Sequence, residues 1–106
     1  MAVLTRLAHS KILWKRRIAI VATFYDIQKG RSQPTLMLAE IFLKDKEDLM
    51  HKATGWMLRE VGKRVSSQIL EDFLCRFYKR MPRTMLRYSI ERLPPHRRKV
   101  YLSRET

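Results

Sequence analysis

A chain of 106 residues is long enough for one compact domain and too short for two. Hydrophobic residues make up 45% of it and charged residues 31%, which excludes a disordered polar tail; one cysteine, Cys75, excludes an internal disulfide and a cysteine-built zinc site. Its 23 Lys and Arg against 10 Asp and Glu leave a formal charge of +13, read either as a solvated basic surface or as a surface for a polyanion, nucleic acid first among them.

In chain order, residues 2–8 predict a short apolar-rich helix. Ser10 is placed to cap the next, which runs through Ile12, Leu13, Trp14, Ile18, Val21 and Tyr25 to Gly30 at a helix C-cap position. The run from Ile18 to Tyr25 follows Lys15-Arg16-Arg17 and imitates a leader peptide, yet it stops at Asp26, far short of the ~20 residues of a membrane span. A buried helix is the expectation, with Trp14 in its core beside Leu13, Ile18 and Val21. Ser32 and Pro34 start a helix through Leu36, Leu38, Ile41, Phe42 and Leu43. Asp45 is the expected N-cap of the following helix, with Glu47 and Asp48 in its acid-favouring first turn and Lys63-Arg64 at its end. Ser66 opens a helix through Ile69, Leu70, Phe73, Leu74 and Phe77, in which Cys75 is expected to be a buried, inert thiol. Pro82 opens one through Met85, Leu86 and Ile90, Pro94-Pro95 stop it, and a short basic helix from His96 to Leu102 closes the chain.

The segments Arg17-Ile18-Ala19-Ile20, Lys52-Ala53-Thr54-Gly55 and Arg87-Tyr88-Ser89-Ile90 superimpose at a spacing of 35 residues. Each begins with a cation and carries a small residue two positions later, as close-packed helical hairpins require. The fold expected is all-α: one domain over residues 1–106, a right-handed stack of antiparallel helix pairs with about six helices. In such a stack Arg17, Lys52 and Arg87 share a face, which Arg16, Arg59, Arg80 and Arg83 widen. A positive face of this kind tracks phosphates by displacing condensed counterions.

The stretches Leu13-Trp14-Lys15-Arg16-Arg17-Ile18-Ala19-Ile20, His51-Lys52-Ala53-Thr54-Gly55-Trp56-Met57-Leu58-Arg59-Glu60 and Met81-Pro82-Arg83-Thr84-Met85-Leu86-Arg87-Tyr88 together resemble the AlkD-like DNA glycosylases. The resemblance covers about Ser10 to Leu102, the Gly-Trp-Met-Leu-Arg-Glu stretch being its most specific part. It implies HEAT-like helical repeats, duplex DNA as partner, and excision of alkylated purines made cationic by an N3 or N7 substituent. It also implies that Arg17 lies on the DNA-binding face and that Trp56 packs against the backbone beside the lesion, with Arg59 one turn further on the same side. By residue type alone Trp56 is a large core anchor.

The family's catalytic aspartate lies in an upstream tryptophan-rich segment, so the resemblance covers the family's C-terminal half, and the expectation is of a DNA-binding portion that does not cleave by itself. Asp26, Asp45 and Asp48 read as a helix-end residue, an N-cap and a first-turn acid. No residue is assigned a catalytic role. His9, His51 and His96 each stand apart from a second ligand at metal spacing, and neither metal nor cofactor is expected. The remaining expectations are a cytoplasmic location, no membrane, and self-association through the N-terminal end, where Ala2-Val3-Leu4 makes a poor polar cap. A non-catalytic helical scaffold that binds other proteins is the alternative.

Overall fold

The structure, a computed structural model, describes residues 2–103. Among them the chain is helical throughout, in eight helices: α1 (Ala2–Ala8), α2 (Leu13–Ala22), α3 (Phe24–Gln28), α4 (Gln33–Phe42), α5 (Asp48–Arg64), α6 (Ser67–Phe77), α7 (Arg83–Ser89) and α8 (Pro95–Leu102). The segments read in chain order already number seven, and the eighth helix arises inside the second predicted one. Buried Thr23 turns its hydroxyl back to the Ile20 carbonyl at 2.6 Å while its own N–H goes to the same oxygen at 3.1 Å. That tightened turn separates α2 from α3, as hydroxyl back-bonding tends to bend a helix.

The punctuation follows the turn chemistry. Gly30 takes φ 80°, the left-handed position after α3 that costs glycine nothing. Pro34 sits in the first turn of α4, and the Ser66 hydroxyl caps α6 by accepting the Ile69 N–H at 3.2 Å. Asp45 departs from its predicted place. Glu47 is the N-cap of α5, and Asp45 instead accepts the Glu47 N–H at 2.9 Å and holds Arg16 at 2.8 Å. Its carboxylate is a brace across the α4–α5 loop.

Helix α5 is the centre of the molecule and packs on α2, α3, α4, α6 and α7. It buries Met50, Ala53, Thr54, Gly55, Met57, Leu58, Glu60 and Val61, more than half of its circumference along the middle turns. Pairs α1–α2 and α4–α5 pack as successive hairpins, and α2, α5 and α7 lie side by side, an order that fits a stack of helix pairs. The extents of 38 × 30 × 18 Å agree, since the short axis is about two helix diameters. All three small residues of the repeated segments, Ala19, Thr54 and Ser89, are buried. Closest approach is at Gly55, where an added Cβ would stand 2.6 Å from the Met85 carbonyl oxygen and 2.6 Å from the Tyr88 Cβ. No helix among the described residues is long and apolar enough to cross a membrane.

Three side chains assigned to the core, Trp14, Ile18 and Cys75, lie outside it. Trp14 is 68% exposed, and Ile18 and Tyr25, on the same stripe at helical spacing, are exposed with it. The chain buries the adjacent stripe of Ala19, Ile20, Thr23 and Ile27, because α5 lies on that side and small residues let it come close. Cys75 is exposed as well. Helix α6 turns Leu70, Phe73, Leu74 and Phe77 inward at i, i+3, i+4 and i+7, which leaves position 75 one step around the helix.

Candidate nucleic-acid interface

On α5, Lys52, Trp56, Arg59 and Lys63 recur at i, i+4, i+7 and i+11 and so form one face. Helix α2 lies beside this face on one flank and α7 on the other. Between them a shallow depression of about 280 Å³ is lined by Arg17, Leu49, Lys52, Ala53, Trp56, Arg59 and Tyr88. Trp56, 37% exposed, is part of its wall and not a core anchor. Four of the eight basic and aromatic residues singled out from the sequence, Arg17, Lys52, Trp56 and Arg59, therefore meet around one hollow.

The cations differ in how they are held. Arg17 is half-buried and has no hydrogen-bond or ion-pair partner among the described residues. Lys52 lies 3.5 Å from the Asp48 carboxylate, a loose exposed pair of small worth. Arg59 Nη1 donates to Glu91 Oε2 at 2.5 Å, while its Nε is buried without a hydrogen-bond acceptor. The Arg59 guanidinium is thus held by Glu91, just beyond α7, with the Glu60 carboxylate 4.0 Å from its Nε, and a further acceptor would complete its hydrogen bonding.

The other predicted members are elsewhere. Arg16 is turned inward, its side chain only 14% exposed, and is bonded through Nε to Asp45 Oδ2 and through Nη1 to the Ser10 carbonyl. It braces α2 against the α4–α5 loop and does not widen the stripe. Arg87 lines a neighbouring hollow with Ile90, Glu91, Arg98 and Leu102, next to the main depression but outside it. Arg83 donates to the Leu102 carbonyl at 3.0 Å, and Arg80 lines a separate cleft with His9, Met37 and Glu40. The 35-residue register brings two cations to the depression and leaves the third beside it.

Two participants escape a reading of the sequence. Tyr88 reaches the depression because Gly55 lets α7 approach; the clue was a glycine in the middle of a helix. Glu91 was invisible, since an acid that positions an arginine 32 residues away has no sequence pattern.

Perturbed titration, often a mark of a functional site, occurs elsewhere. Burial favours the neutral carboxyl of Glu71, but hydrogen bonds from Tyr101 and Arg97 and the Arg97 charge outweigh it and hold that group below its ordinary value. Burial and the hydrogen bond to Glu71 push the Tyr101 phenol upward. The Tyr101 hydroxyl donates to Glu71 at 2.6 Å, Arg97 bonds the same carboxylate, and the Tyr101 ring meets Tyr78 edge-on. This cluster fastens α8 to α6. His51 is structural too, its Nε2 donating to the Asp45 carbonyl at 2.6 Å. Among the described residues no group of three His, Cys, Asp or Glu is placed to hold a metal ion.

A family model described as DNA alkylation repair enzyme matches residues 1–93. The chain belongs to that family. The match runs through α1 to α7 and so contains every residue of the depression, and it ends just before α8. Comparison with curated proteins and with solved structures finds no match.

Proposed function

We propose that the α2–α5–α7 face binds duplex DNA in the setting of alkylation repair, as the DNA-binding portion of a HEAT-like alkylpurine glycosylase-type protein. One observation carries the reading: Arg17, Lys52 and Arg59 surround the indole of Trp56 in a single open depression. Membership in a DNA alkylation repair family supplies the polyanion. Arg17, which has no partner among the described residues, meets a backbone phosphate, and the charge-assisted bond takes the place of hydration. The indole offers a π face to a nucleoside whose alkylated base is cationic.

No carboxylate is assigned a catalytic role. Asp48 pairs with Lys52, Glu91 with Arg59 and Glu60 with Arg64 and Arg59, while Asp26 pairs with Arg31 and Asp45 with Arg16. Binding of DNA in the cytoplasm, not cleavage of the glycosidic bond, is the activity proposed for these residues. Arg17→Glu should weaken duplex binding and lower the slope of log K against log salt by about 0.9 for each phosphate the protein ceases to neutralise. An unchanged affinity across the salt series would end this reading.

The exposed stripe of Trp14, Ile18 and Tyr25 favours a second reading for a different face, contact with protein, including another copy of this chain. Because copies carrying +13 repel one another, self-association should strengthen as salt is added. Sedimentation showing one mass at every salt and protein concentration would exclude the self-association.

A further inference from the structure

Beyond the Trp56 depression, the same face of α5 continues to a second hollow of about 200 Å³. Arg59, Gly62, Lys63, Ser67, Leu70, Ser89, Arg92 and Leu93 line it, so Arg59 is common to both hollows. Three cations converge here and no acid lines the space. Neither Lys63 nor Arg92 has a hydrogen-bond or ion-pair partner among the described residues. Unpartnered like charges gathered around one cavity repel each other, and an anion seated among them reverses the sign of that interaction.

Backbone geometry adds to the side chains. The α5–α6 turn brings the start of an 11-residue helix to the rim of the hollow. Gly62 faces this helix, and a Cβ there would stand 2.6 Å from Leu70 Cδ2, at the flexible end of that side chain. Ser66 commits its hydroxyl to the Ile69 N–H, and the Leu70 N–H closes the first helical bond to the Ser66 carbonyl. The N–H groups of Ser67 and Gln68 are left without an intrahelical acceptor, and Ser67 lines the hollow. Donors, cations and a hollow roomy enough for a phosphate coincide.

We propose that this hollow is a phosphate-binding subsite, taking a backbone phosphodiester of the DNA strand that crosses Trp56. The inference rests on the DNA reading above for the source of its phosphate, though not for its geometry. Arg59 and Lys63 are one helical turn apart, about 6 Å of rise. A DNA strand presents a phosphate every ~3.4 Å along its axis, and further apart along its winding backbone, so the two hollows serve neighbouring phosphates of one strand. Arg59, shared between them, sets the register of the strand while the indole side faces the base.

The decisive experiment uses the full chain, a short DNA duplex in a salt series, and inorganic phosphate followed through the amide resonances of Ser67 and Gln68. Lys63→Gln/Arg92→Gln removes only exposed, unpartnered side chains, so the fold is retained; Arg76→Gln/Lys79→Gln removes equal charge from the far end of α6 as a control. The expected result is a salt slope lower by about 0.9 in the first variant, the value for one phosphate, and unchanged in the control. A wild-type protein that binds duplex with a slope the first variant does not alter overturns the subsite and leaves the DNA reading standing. If the protein does not bind duplex, yet inorganic phosphate shifts Ser67 and Gln68 in a manner Lys63→Gln/Arg92→Gln abolishes, the hollow takes free phosphate and it is the DNA reading that fails. No duplex binding and no response to phosphate overturn both.

Discussion

Replacing Gly55 by alanine inverts a familiar rule. In the open middle of a helix, Gly→Ala stabilises by about 0.8–1.0 kcal/mol, because alanine surrenders less backbone entropy on folding. At position 55 the new methyl would lie 2.6 Å from the Met85 carbonyl oxygen and 2.6 Å from the Tyr88 Cβ, with the Met85 carbonyl carbon at 3.3 Å. Two of these atoms are backbone and the third is a Cβ fixed to it, so no rotamer change relieves the clash. Helix α7 must move away from α5 as a body, loosening Met85 and Leu86, which are fully buried at that interface. Overpacking of this sort costs about 1–3 kcal/mol, and occasionally more. Set against the propensity gain, the upper part of that range applies, and the net loss should be about 1–2 kcal/mol.

For a domain near 100 residues, about 1 kcal/mol moves the thermal midpoint by roughly 4–8 °C. Urea and thermal unfolding of Gly55→Ala should therefore show a clear fall. Gly62→Ala supplies the internal comparison, since the nearest atom there is the Cδ2 of Leu70, at the free end of a flexible side chain. It should be destabilised less than Gly55→Ala, or not at all. A Gly55→Ala protein more stable than the wild type would show that the α5–α7 packing is not tight, and the argument for how Tyr88 reaches the depression would go with it.

Two further predictions concern electrostatics. Glu71 has a folded-state value below its ordinary 4.5, so the stability it supplies is present above the unfolded value and is lost as pH falls through the folded one; Tyr101, raised above its ordinary 10.0, supplies stability that is present below that pH and fades as pH rises past it. Tyr101→Phe removes the bond to Glu71 and should cost about 1–2 kcal/mol near neutrality while flattening both limbs of the stability profile, and an acid limb identical to wild type would show that Tyr101 does not hold that carboxylate. Glu91→Gln should remove a negative charge from the rim, tightening duplex binding by about 2- to 5-fold at low salt, a gain that disappears at high salt; weaker binding would mean that the loss of Glu91 as the group positioning Arg59 outweighs the charge removed.

What could be read from the sequence and what could not divide along a physical line. Helix ends follow from single residues acting on their own backbone, so Gly30, Pro34, Ser66 and Pro82 mark boundaries where expected, while Pro94-Pro95 open α8 and α7 has already ended at Ser89. Which face of a helix is buried depends on its neighbours. Helix α2 has two apolar stripes, and the one with the larger side chains, Trp14 and Ile18, faces outward because α5 packs against Ala19 and Ile20. Size was the wrong criterion there. For the depression, cation register was informative at Arg17 and Lys52 and misleading at Arg16, whose adjacent position turns it inward to Asp45. Lys63 was within reach of the same arithmetic that groups Lys52, Trp56 and Arg59, but Arg92 and Glu91 arrive only through the packing of α7 on α5.

Helix α5 is under two demands that set its composition. Its inner side must let five other helices approach, which places Ala53, Thr54, Gly55 and Gly62 at contact positions and leaves stability to Met57, Leu58 and Val61. Its outer side carries Lys52, Arg59 and Lys63, of which the first two are offset by Asp48 and Glu91 while Lys63 has no partner among the described residues. The two are linked through α7. Gly55 brings α7 close enough for Glu91 to hold Arg59, and the same approach sets Tyr88 in the first hollow and Arg92 in the second. The inner packing of one helix thereby fixes the spacing of the cations on its outer face, and a change that loosens the first blurs the second without touching a single charge.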